Sequence, residues 1–198
     1  MKIIIVGASG TMGQYLTSVL EKENHEIIRA SRSSGDILVD TISTQSIEAM
    51  FTQIGTFDAL ISTAGTTFVG PWGKLTDQTF RTGIEGKMMG QINLVLIGQQ
   101  YINPKGSFTL ISGALTHEPQ VNFANASASN GAVEGFVRGA SIELQNGIRI
   151  NAVSPTVIEN SPHYFPFFPG EIPTTMKQLE FGFKKSLFGT VTGQIIKP

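Results

Sequence analysis

The 198-residue sequence contains no cysteine, which excludes disulfides, thiolate metal sites and cysteine nucleophiles and fits a reducing cytoplasm. Charged residues make up only 15% of the chain and give a formal net charge of −1, so neither nucleic acid nor an anionic membrane is indicated as a partner. No apolar run reaches membrane-spanning length, and the first run ends at Gly7, too early for a signal peptide. We therefore expect a cytoplasmic protein without a metal site.

Apolar stretches alternate with segments of helical periodicity along the chain. The predicted strands are Lys2–Val6, Glu26–Ala30, Ile37–Val39, Ala59–Ser62, Ser107–Ser112, Arg149–Val153 and Gln194–Lys197. The predicted helices are Met12–Glu23, Ser46–Ile54, Lys87–Tyr101 and Ala126–Gln145. This alternation is typical of a parallel sheet covered by helices on both faces. We expect one α/β domain over residues 1–198, since a chain of this length buries a sizeable core without dividing in two.

The first predicted strand runs directly into three glycines at three-residue spacing, Gly7, Gly10 and Gly13, and then into a helix. Gly7 would let the backbone leave the strand, Gly10 would let it approach a pyrophosphate, and Gly13 would let the helix pack closely on the sheet. The amide groups at the start of the helix would then hold the phosphates. The pattern predicts a Rossmann-type, doubly wound sheet of about seven strands that binds a dinucleotide. The alternative is a tight turn whose glycines are only structural.

The end of the second predicted strand indicates which dinucleotide is bound. Sites that select NAD(H) usually place an acid there to accept from the ribose hydroxyls, whereas a 2′-phosphate needs a cation. This chain continues as Ser31–Ser34, with no acid until Asp36. We therefore expect NADP(H) rather than NAD(H), with Arg32 bound to the 2′-phosphate and a hydroxyl added by Ser31 or Ser33. An ordinary exposed arginine is the alternative for Arg32.

Five further segments, together with the glycine turn, resemble the short-chain dehydrogenase/reductase family. They are Ile61–Gly65, Leu110–Gly113, Gly131–Leu144, Ile148–Pro155 and Val191–Gln194. In that order they are similar to the family's Asn-Asn-Ala-Gly segment, its catalytic-serine strand, its long active-site helix, the strand after that helix and the start of the last strand. The glycine spacing departs from the family's common pattern, because Gly10 stands one residue before the usual position. The resemblance covers nearly the whole chain and implies an oxidoreductase.

The resemblance also locates a departure in the active site. In the family a tyrosine and a lysine lie four residues apart on the long helix, and the lysine and the cofactor ribose lower the pKa of the phenol. Ala126 and Asn130 occupy these two positions here, and Lys87 stands where the family has a structural asparagine. Of the usual four residues only Ser112 remains. A methyl group at Ala126 neither donates nor accepts a proton, so the family's standard mechanism is excluded.

Four side chains are candidates to replace the missing proton donor. Lys87 lies on a predicted helix, whereas His117, His163 and Tyr164 lie on predicted loops, and for each an ordinary surface position is the alternative. Ser112 is expected either to hydrogen-bond a substrate carbonyl or to cap the end of its strand. Ser112 and Lys87 are therefore the predicted catalytic residues.

The resemblance implies cofactor contacts beyond the glycine turn. Asp40 is similar to the acid that contacts the adenine amino group in the family; alternatively it only begins the next turn. The predicted cofactor-binding residues are Gly7, Ser9, Gly10, Thr11, Met12, Gly13, Ser31, Arg32, Asp40, Thr63, Ala64, Gly65, Pro155 and Val157.

The predicted long helix carries an unusual number of small residues. They are Ala126, Ala128, Ala132, Gly135, Gly139 and Ala140. Such a surface permits close approach of another backbone, and the resemblance implies pairing of copies through this helix and the one before it. We expect a homodimer or homotetramer; alternatively the small residues pack on the protein's own sheet.

Two functions are compatible with these residues. The stretch from Ser161 to Pro173 combines four prolines with four aromatic residues, and we expect a substrate loop over residues 156–182. The first hypothesis is an NADP(H)-dependent oxidoreductase that acts on a small carbonyl or alcohol under this loop, with a rearranged proton-transfer site. The second is a catalytically silent dinucleotide receptor with a sensory or regulatory role, since fold alone does not determine chemistry.

Overall fold

The computed structural model describes residues 1–198, which form a seven-stranded parallel sheet in the order β3-β2-β1-β4-β5-β6-β7. The strands are β1 (Lys2–Val6), β2 (Glu26–Ser31), β3 (Ile37–Leu38), β4 (Phe57–Ser62), β5 (Ile102–Ile111), β6 (Arg149–Val153) and β7 (Ile195–Ile196). The helices are α1 (Thr11–Lys22), α2 (Thr44–Ile54), α3 (Asp77–Gly83), α4 (Gly90–Gly98), α5 (Ala124–Ala140) and α6 (Met176–Phe188). The strand order reverses between β1 and β4, which confirms the predicted doubly wound α/β fold.

Two apolar layers pack on the two faces of the sheet, and β1 contributes to both. Ile3 and Ile5 point into the layer that contains α1 and α6, while Ile4 and Val6 point into the layer that contains α2, α4 and α5. Successive side chains of a strand face opposite sides of a sheet, so a strand buried on both faces is a continuous apolar run. No helix combines the length and the apolar character that crossing a membrane would require.

The helical region before β5 is longer than the predicted helix Lys87–Tyr101. It begins with α3, continues as a π-helical segment over Ile84–Met89 and ends with α4. Thr76 caps the start of α3 in a capping box with Thr79. Glycines at 83, 86 and 90 lower the helical propensity of this stretch, which is why the sequence did not indicate α3. A side chain at Gly83 would collide with Asn125 of α5, so tertiary packing requires this glycine.

The predicted substrate loop over 156–182 is too long at its C-terminal end, because α6 begins at Met176. The Thr175 hydroxyl accepts a hydrogen bond from the backbone amide of Gln178 at 3.1 Å. The side-chain Oε1 of Gln178 accepts from the backbone amide of Thr175 at 2.9 Å. This Thr-x-x-Gln spacing is a recognised start signal for a helix and was available in the sequence. The apolar face of α6 then buries Leu179 and Phe183 against the sheet.

Two further boundaries differ from the predictions by five residues each, and the remaining ones by fewer. The long helix α5 ends at Ala140 rather than Gln145, and the Ser141 hydroxyl donates back to the Arg138 carbonyl at 2.8 Å, a local bond that competes with the helical pattern. Strand β5 begins at Ile102 rather than at residue 107, since Ile102 already pairs with Phe57 before the register shifts.

Candidate functional site

Two adjoining cavities lie at the carboxyl edge of the sheet, where an open α/β fold binds its ligands. The polar cavity, about 270 Å³, is surrounded by the residues that follow β1, β2 and β4. The apolar cavity, about 290 Å³, is surrounded by the residues that follow β4, β5 and β6 and by the segment Ile84–Met89. Thr63 and Gly65 line both cavities, so the two form one continuous cleft.

The glycine turn after β1 forms the floor of the polar cavity. Gly7 has a φ of +86°, and a Cβ at this position would lie 2.7 Å from Thr63 Oγ1 and 2.9 Å from the Ala64 amide nitrogen. A Cβ at Gly13 would overlap the Gly7 carbonyl. Both positions therefore exclude any larger residue, one by backbone conformation and both by close packing. The roles predicted for Gly7 and Gly13 agree with this geometry.

No side chain accepts a hydrogen bond from the backbone amide groups at the start of α1. Gly10 is the N-cap residue, no side chain caps the helix, and its first turn contains no acidic residue. A helix start in this condition presents free N–H groups and the positive end of its dipole to an anion. The geometry fits the diphosphate of a dinucleotide.

Arg32 is the cation of the polar cavity. Asp36, four residues after Arg32, binds Arg29, with Arg29 Nε 3.0 Å from Asp36 Oδ2. The Arg29 guanidinium holds the pKa of the Asp36 carboxyl at about 2. Arg32 is exposed, lines the cavity and makes no hydrogen bond or ion pair within the protein. The only other charged residue of the lining is Asp40, whose carboxylate accepts from the Ile42 amide at 3.1 Å. Arg32 is thus available for an anionic ligand group, while Arg29 is not.

The predicted cofactor residues are distributed over both cavities. Nine line the polar cavity: Gly7, Ser9, Gly10, Ser31, Arg32, Asp40, Thr63, Ala64 and Gly65. Met12, Pro155 and Val157 line the apolar cavity, whereas Thr11 and Gly13 line neither. Ser31 differs from its predicted role in one respect, because its hydroxyl donates to the Ser34 carbonyl inside its own loop. Ser33 also lines the polar cavity.

Lys87 is the only charged side chain that lines the apolar cavity. Its alkyl chain crosses Gly65, where a Cβ would lie 2.9 Å from Lys87 Cγ, and its Nζ donates to the Ser112 carbonyl at 3.2 Å. No carboxylate lines this cavity, and burial lowers the pKa of the ammonium to about 8. Removal from water disfavours the charged form, so this lysine releases its proton more readily than an exposed one.

The helix that carries Lys87 is held in register with β5 by Gln91. The Gln91 side chain accepts from the Ile111 amide at 2.8 Å and donates to the Ile111 carbonyl at 2.9 Å, and Gln91 is buried. Lys87 lies one helical turn before Gln91, and it binds the carbonyl of Ser112, the residue after Ile111. Gln91 and Lys87 therefore contact consecutive residues at the end of β5. Lys87 itself lies in the π-helical segment, a feature frequent at functional sites. Sequence reasoning missed Gln91, although its four-residue spacing from Lys87 was visible.

The Ser112 hydroxyl is bound to a buried carboxylate. It donates to Glu134 Oε1 at 3.1 Å, and the Ser154 hydroxyl approaches the same oxygen at 3.4 Å. His117 Nε2 lies 3.1 Å from Glu134 Oε2, and Arg138 lies 3.8 Å from that oxygen. Glu134 thereby joins the ends of β5 and β6 to α5. Sequence reasoning quoted Glu134 as part of a motif but did not identify this role.

Ala126 and Asn130 line the apolar cavity from one face of α5. The Asn130 side-chain amide donates weakly to the Gly113 carbonyl at 3.4 Å, and its Oδ1 has no partner. A Cβ at Gly113 would lie 2.9 Å from Asn130 Nδ2, so glycine leaves the room that the amide occupies. Neither Ala126 nor Asn130 places an ionisable group in the cavity.

Aromatic residues cover the apolar cavity. Phe123 is buried, and its ring centroid lies 6.2 Å from that of Tyr164, 5.7 Å from Phe167 and 5.4 Å from Phe168. The covering rings belong to a short 3₁₀ helix, Pro162–Phe167, and the residue after it. Of the predicted proton donors only Lys87 and Tyr164 line the cavity; His117 contacts Glu134, and the ring of His163 packs on Tyr164 at 4.2 Å.

A doubly wound parallel sheet, a glycine turn under a free helix start and an adjoining apolar cavity define a Rossmann-type fold whose cleft fits a dinucleotide. Residues 4–164 match the family described as enoyl-(acyl carrier protein) reductase, and the chain belongs to this family, within the short-chain dehydrogenases/reductases. The resemblance found in the sequence is thereby confirmed at the level of the family.

The similarity to other proteins extends over most of the chain. The crystal structure of the protein lin1944 from Listeria innocua is 43% identical with a TM-score of 0.97, covering 100% of this chain and 98% of that one. A small-chain dehydrogenase in complex with NADPH is 24% identical with a TM-score of 0.89, covering 100% and 96%. L-xylulose reductase of Bos taurus is 21% identical in an alignment of 174 positions that covers 79% of this chain and 71% of that protein.

Proposed function

We propose that the protein is an NADP(H)-dependent oxidoreductase of small carbonyl compounds or alcohols in which Lys87 exchanges the proton. The observation that carries the proposal is the Lys87 ammonium on the wall of the apolar cavity, with no carboxylate to neutralise it and with its pKa lowered by burial to about 8. The test is NADPH oxidation with a panel of aldehydes and ketones. Consumption of NADPH that depends on the carbonyl compound supports the proposal.

The residues of the polar cavity fit NADP(H). The free amides at the start of α1 would bind the diphosphate, and Arg32 would bind the 2′-phosphate. Thr63 and Gly65, shared by both cavities, lie where the nicotinamide end would pass into the apolar cavity. The cofactor supplies or accepts the hydride when bound. The NADPH-bound dehydrogenase with the same fold is consistent with this placement.

Lys87 supplies the proton in this proposal. During reduction its ammonium donates to the oxygen of the carbonyl group, which becomes the hydroxyl, and Lys87 is left as the neutral amine. During oxidation the neutral amine removes the hydroxyl proton. The Ser112 carbonyl accepts one N–H bond, which orients Nζ and leaves its other hydrogens for the substrate. A pKa of about 8 suits both directions, because a proton donor works best near the operating pH.

Ser112 acts through its backbone in this proposal. Its carbonyl positions Lys87, while its hydroxyl is held by Glu134 and does not serve the predicted hydrogen bond to a substrate carbonyl. We therefore assign Ser112 the role of a positioning residue, whose hydroxyl is held by Glu134.

The pH dependence of the two directions should be opposite. Carbonyl reduction requires protonated Lys87, so kcat/KM is expected to stay level below the pKa of about 8 and to fall about tenfold per pH unit above it. Alcohol oxidation requires the neutral amine and should rise through the same range to a plateau. Initial rates measured in both directions across this range test the prediction. Parallel profiles would contradict it.

The silent receptor remains a second candidate because neither Ala126 nor Asn130 can transfer a proton. A receptor would bind NADPH without oxidising it in the presence of any carbonyl compound of the panel. Calorimetric titration with NADPH, run beside the turnover assay, separates the two functions.

We also propose that the chain forms homo-oligomers through α4 and α5. The small residues Ala128, Gly135 and Gly139 of α5 are exposed rather than packed on the sheet, and beside them lies a groove lined by residues of α4, including exposed Leu96. Close approach of a second backbone is possible along this face.

Replacing Gly139 by arginine is expected to dissociate such an oligomer. A Cβ at Gly139 meets nothing within 4 Å, so the folded protomer accommodates the substitution, whereas an arginine would separate two facing helices. Light scattering should show a mass that falls to that of the 21.3 kDa protomer. Gly73→Arg, at an exposed position where a Cβ also meets nothing within 4 Å and φ is not positive, serves as the control for the gain of charge. An unchanged mass of the Gly139 variant would place the interface elsewhere.

A further inference from the structure

Lys87 is an isolated amine at the wall of a cavity. It is the only charged residue of the apolar lining, and Tyr164 is the only other titratable residue there. Its Nζ has one hydrogen-bond partner, the Ser112 carbonyl, and no carboxylate lies within ion-pair distance. An amine in these surroundings has chemistry available to it that a hydrated, exposed lysine lacks.

The alkyl chain of Lys87 fixes the place of this amine. A Cβ at Gly65 would lie 2.9 Å from Lys87 Cγ, 3.2 Å from its Cδ and 3.3 Å from its Cβ, so the chain lies directly on the glycine backbone. At its far end Nζ donates to the Ser112 carbonyl at 3.2 Å. Because Lys87 is only partly buried and lines the cavity, a small molecule that enters the cavity reaches Nζ.

Only the neutral form of a lysine is a nucleophile, since the ammonium has no lone pair. Removal from water lowers the pKa of Lys87 to about 8, so about a tenth of its side chains are neutral at pH 7. A carbonyl group only accepts hydrogen bonds, so the contact with Ser112 uses one N–H and leaves the lone pair free. A lysine desolvated in a hydrophobic pocket is a recognised nucleophile towards carbonyl compounds.

We propose that Lys87 is a covalent binding site for aldehydes, with which it forms a reversible imine in the apolar cavity. The neutral Nζ attacks the carbonyl carbon, a C–N bond forms, and one amine proton moves to the oxygen. The hydroxyl group of this carbinolamine then leaves with the second amine proton as water, and the C=N bond remains. Neither cofactor nor hydride takes part, so this chemistry is independent of the proposed oxidoreductase function.

The cavity favours the imine over its hydrolysis. The rings of Phe123, Tyr164 and Phe168 line it and reduce the access of water, which reverses the reaction. Its volume of about 290 Å³ admits a small aldehyde. Proton donation during carbonyl reduction uses the ammonium of Lys87, whereas imine formation uses the amine, so the two reactions draw on opposite protonation states of one side chain.

Trapping with borohydride in the absence of cofactor tests the covalent site. Propanal and borohydride convert an imine into an N-propyl lysine, and peptide mass spectrometry locates it separately from the N-terminal amine. At neutral pH Lys87 should be modified about 10- to 10²-fold faster than Lys74, because removal from water leaves more of Lys87 as the neutral amine. Lys74 is exposed and lines neither cavity, so it is an internal reference in every sample.

A spectroscopic measurement follows the imine without trapping. One equivalent of salicylaldehyde should give the wild-type protein an imine absorption band at longer wavelength than the free aldehyde. Lys87→Met should lose this band, and Lys74→Met should keep it. Circular dichroism of the two variants checks that both retain the fold.

The outcomes distinguish the covalent site from the proposed function. Modification of Lys87 no faster than that of Lys74, or an absorption band that Lys87→Met retains, would overturn the covalent site, while reduction of ketones by NADPH would still support the oxidoreductase. Trapping at Lys87 without NADPH oxidation by any carbonyl compound would refute the proposed function and support the covalent site.

Discussion

Replacing Lys87 by methionine is expected to lower kcat/KM for carbonyl reduction by about 10²- to 10⁴-fold, the usual contribution of a positioned proton donor. Methionine fills a similar volume over Gly65 and removes the proton and the charge. NADPH affinity should change little, because the diphosphate and the 2′-phosphate would be held in the polar cavity, which Lys87 does not line. Steady-state kinetics and calorimetric titration on the same preparation test both parts.

Three control variants sharpen this result. Lys87→Arg keeps the charge but cannot release a proton near neutral pH, so it should be as inactive as the methionine variant. Lys74→Met removes an exposed lysine that lines neither cavity and should be fully active. Tyr164→Phe should also retain activity. An active arginine variant would mean that Lys87 acts by charge alone, and an inactive phenylalanine variant would move the proton donor to Tyr164.

Replacing Arg32 by alanine is expected to weaken NADPH binding by about 10- to 100-fold and to leave NADH binding unchanged, in line with the usual contribution of hydrogen bonds to a charged group. The reason is that Arg32 is the only cation of the polar cavity and has no other partner in the protein. Titration of the variant with NADPH and with NADH, followed by cofactor fluorescence, gives the ratio directly.

Arg81→Ala is the control for Arg32. Arg81 is exposed, lines neither cavity and is bound to Asp77, with Nε 2.8 Å from the carboxylate, so its loss should change neither affinity. Equal loss of NADPH and NADH affinity in the Arg32 variant would indicate a role in the shape of the cavity rather than in selecting the 2′-phosphate. Unchanged affinity for both would remove the argument for NADP(H).

In the proposed function the proton donor comes from a different element than the resemblance implied. Lys87 reaches the cavity from the π-helical segment, whereas Ala126 and Asn130 line it from α5. Its position depends on Gln91 and on the Ser112 carbonyl rather than on neighbours along its own helix. In the proposed function, a proton donor on the π-helical segment therefore takes the place of one on α5.

Local signals in the sequence were sufficient for the sheet and the glycine turn. Apolar runs of strand length predicted all seven strands, and the spacing of Gly7, Gly10 and Gly13 predicted the turn. The same local reasoning failed at α3, where Gly83, required by packing against Asn125, lowers the helical propensity. It also failed at α6, although the capping box of Thr175 and Gln178 is a local signal. Tertiary packing thus explains the first error and not the second.

The sequence by itself determined the fold class, the family and the identity of the side chains at the positions of interest, because strand periodicity and glycine spacing act over a few residues. Only the tertiary structure decided what these side chains do. It turned the Ser112 hydroxyl towards Glu134, left Arg32 free by binding Asp36 to Arg29, and brought Lys87 to a carbonyl 25 residues away. Such contacts arise when separate strands and helices pack together, so no local pattern encodes them.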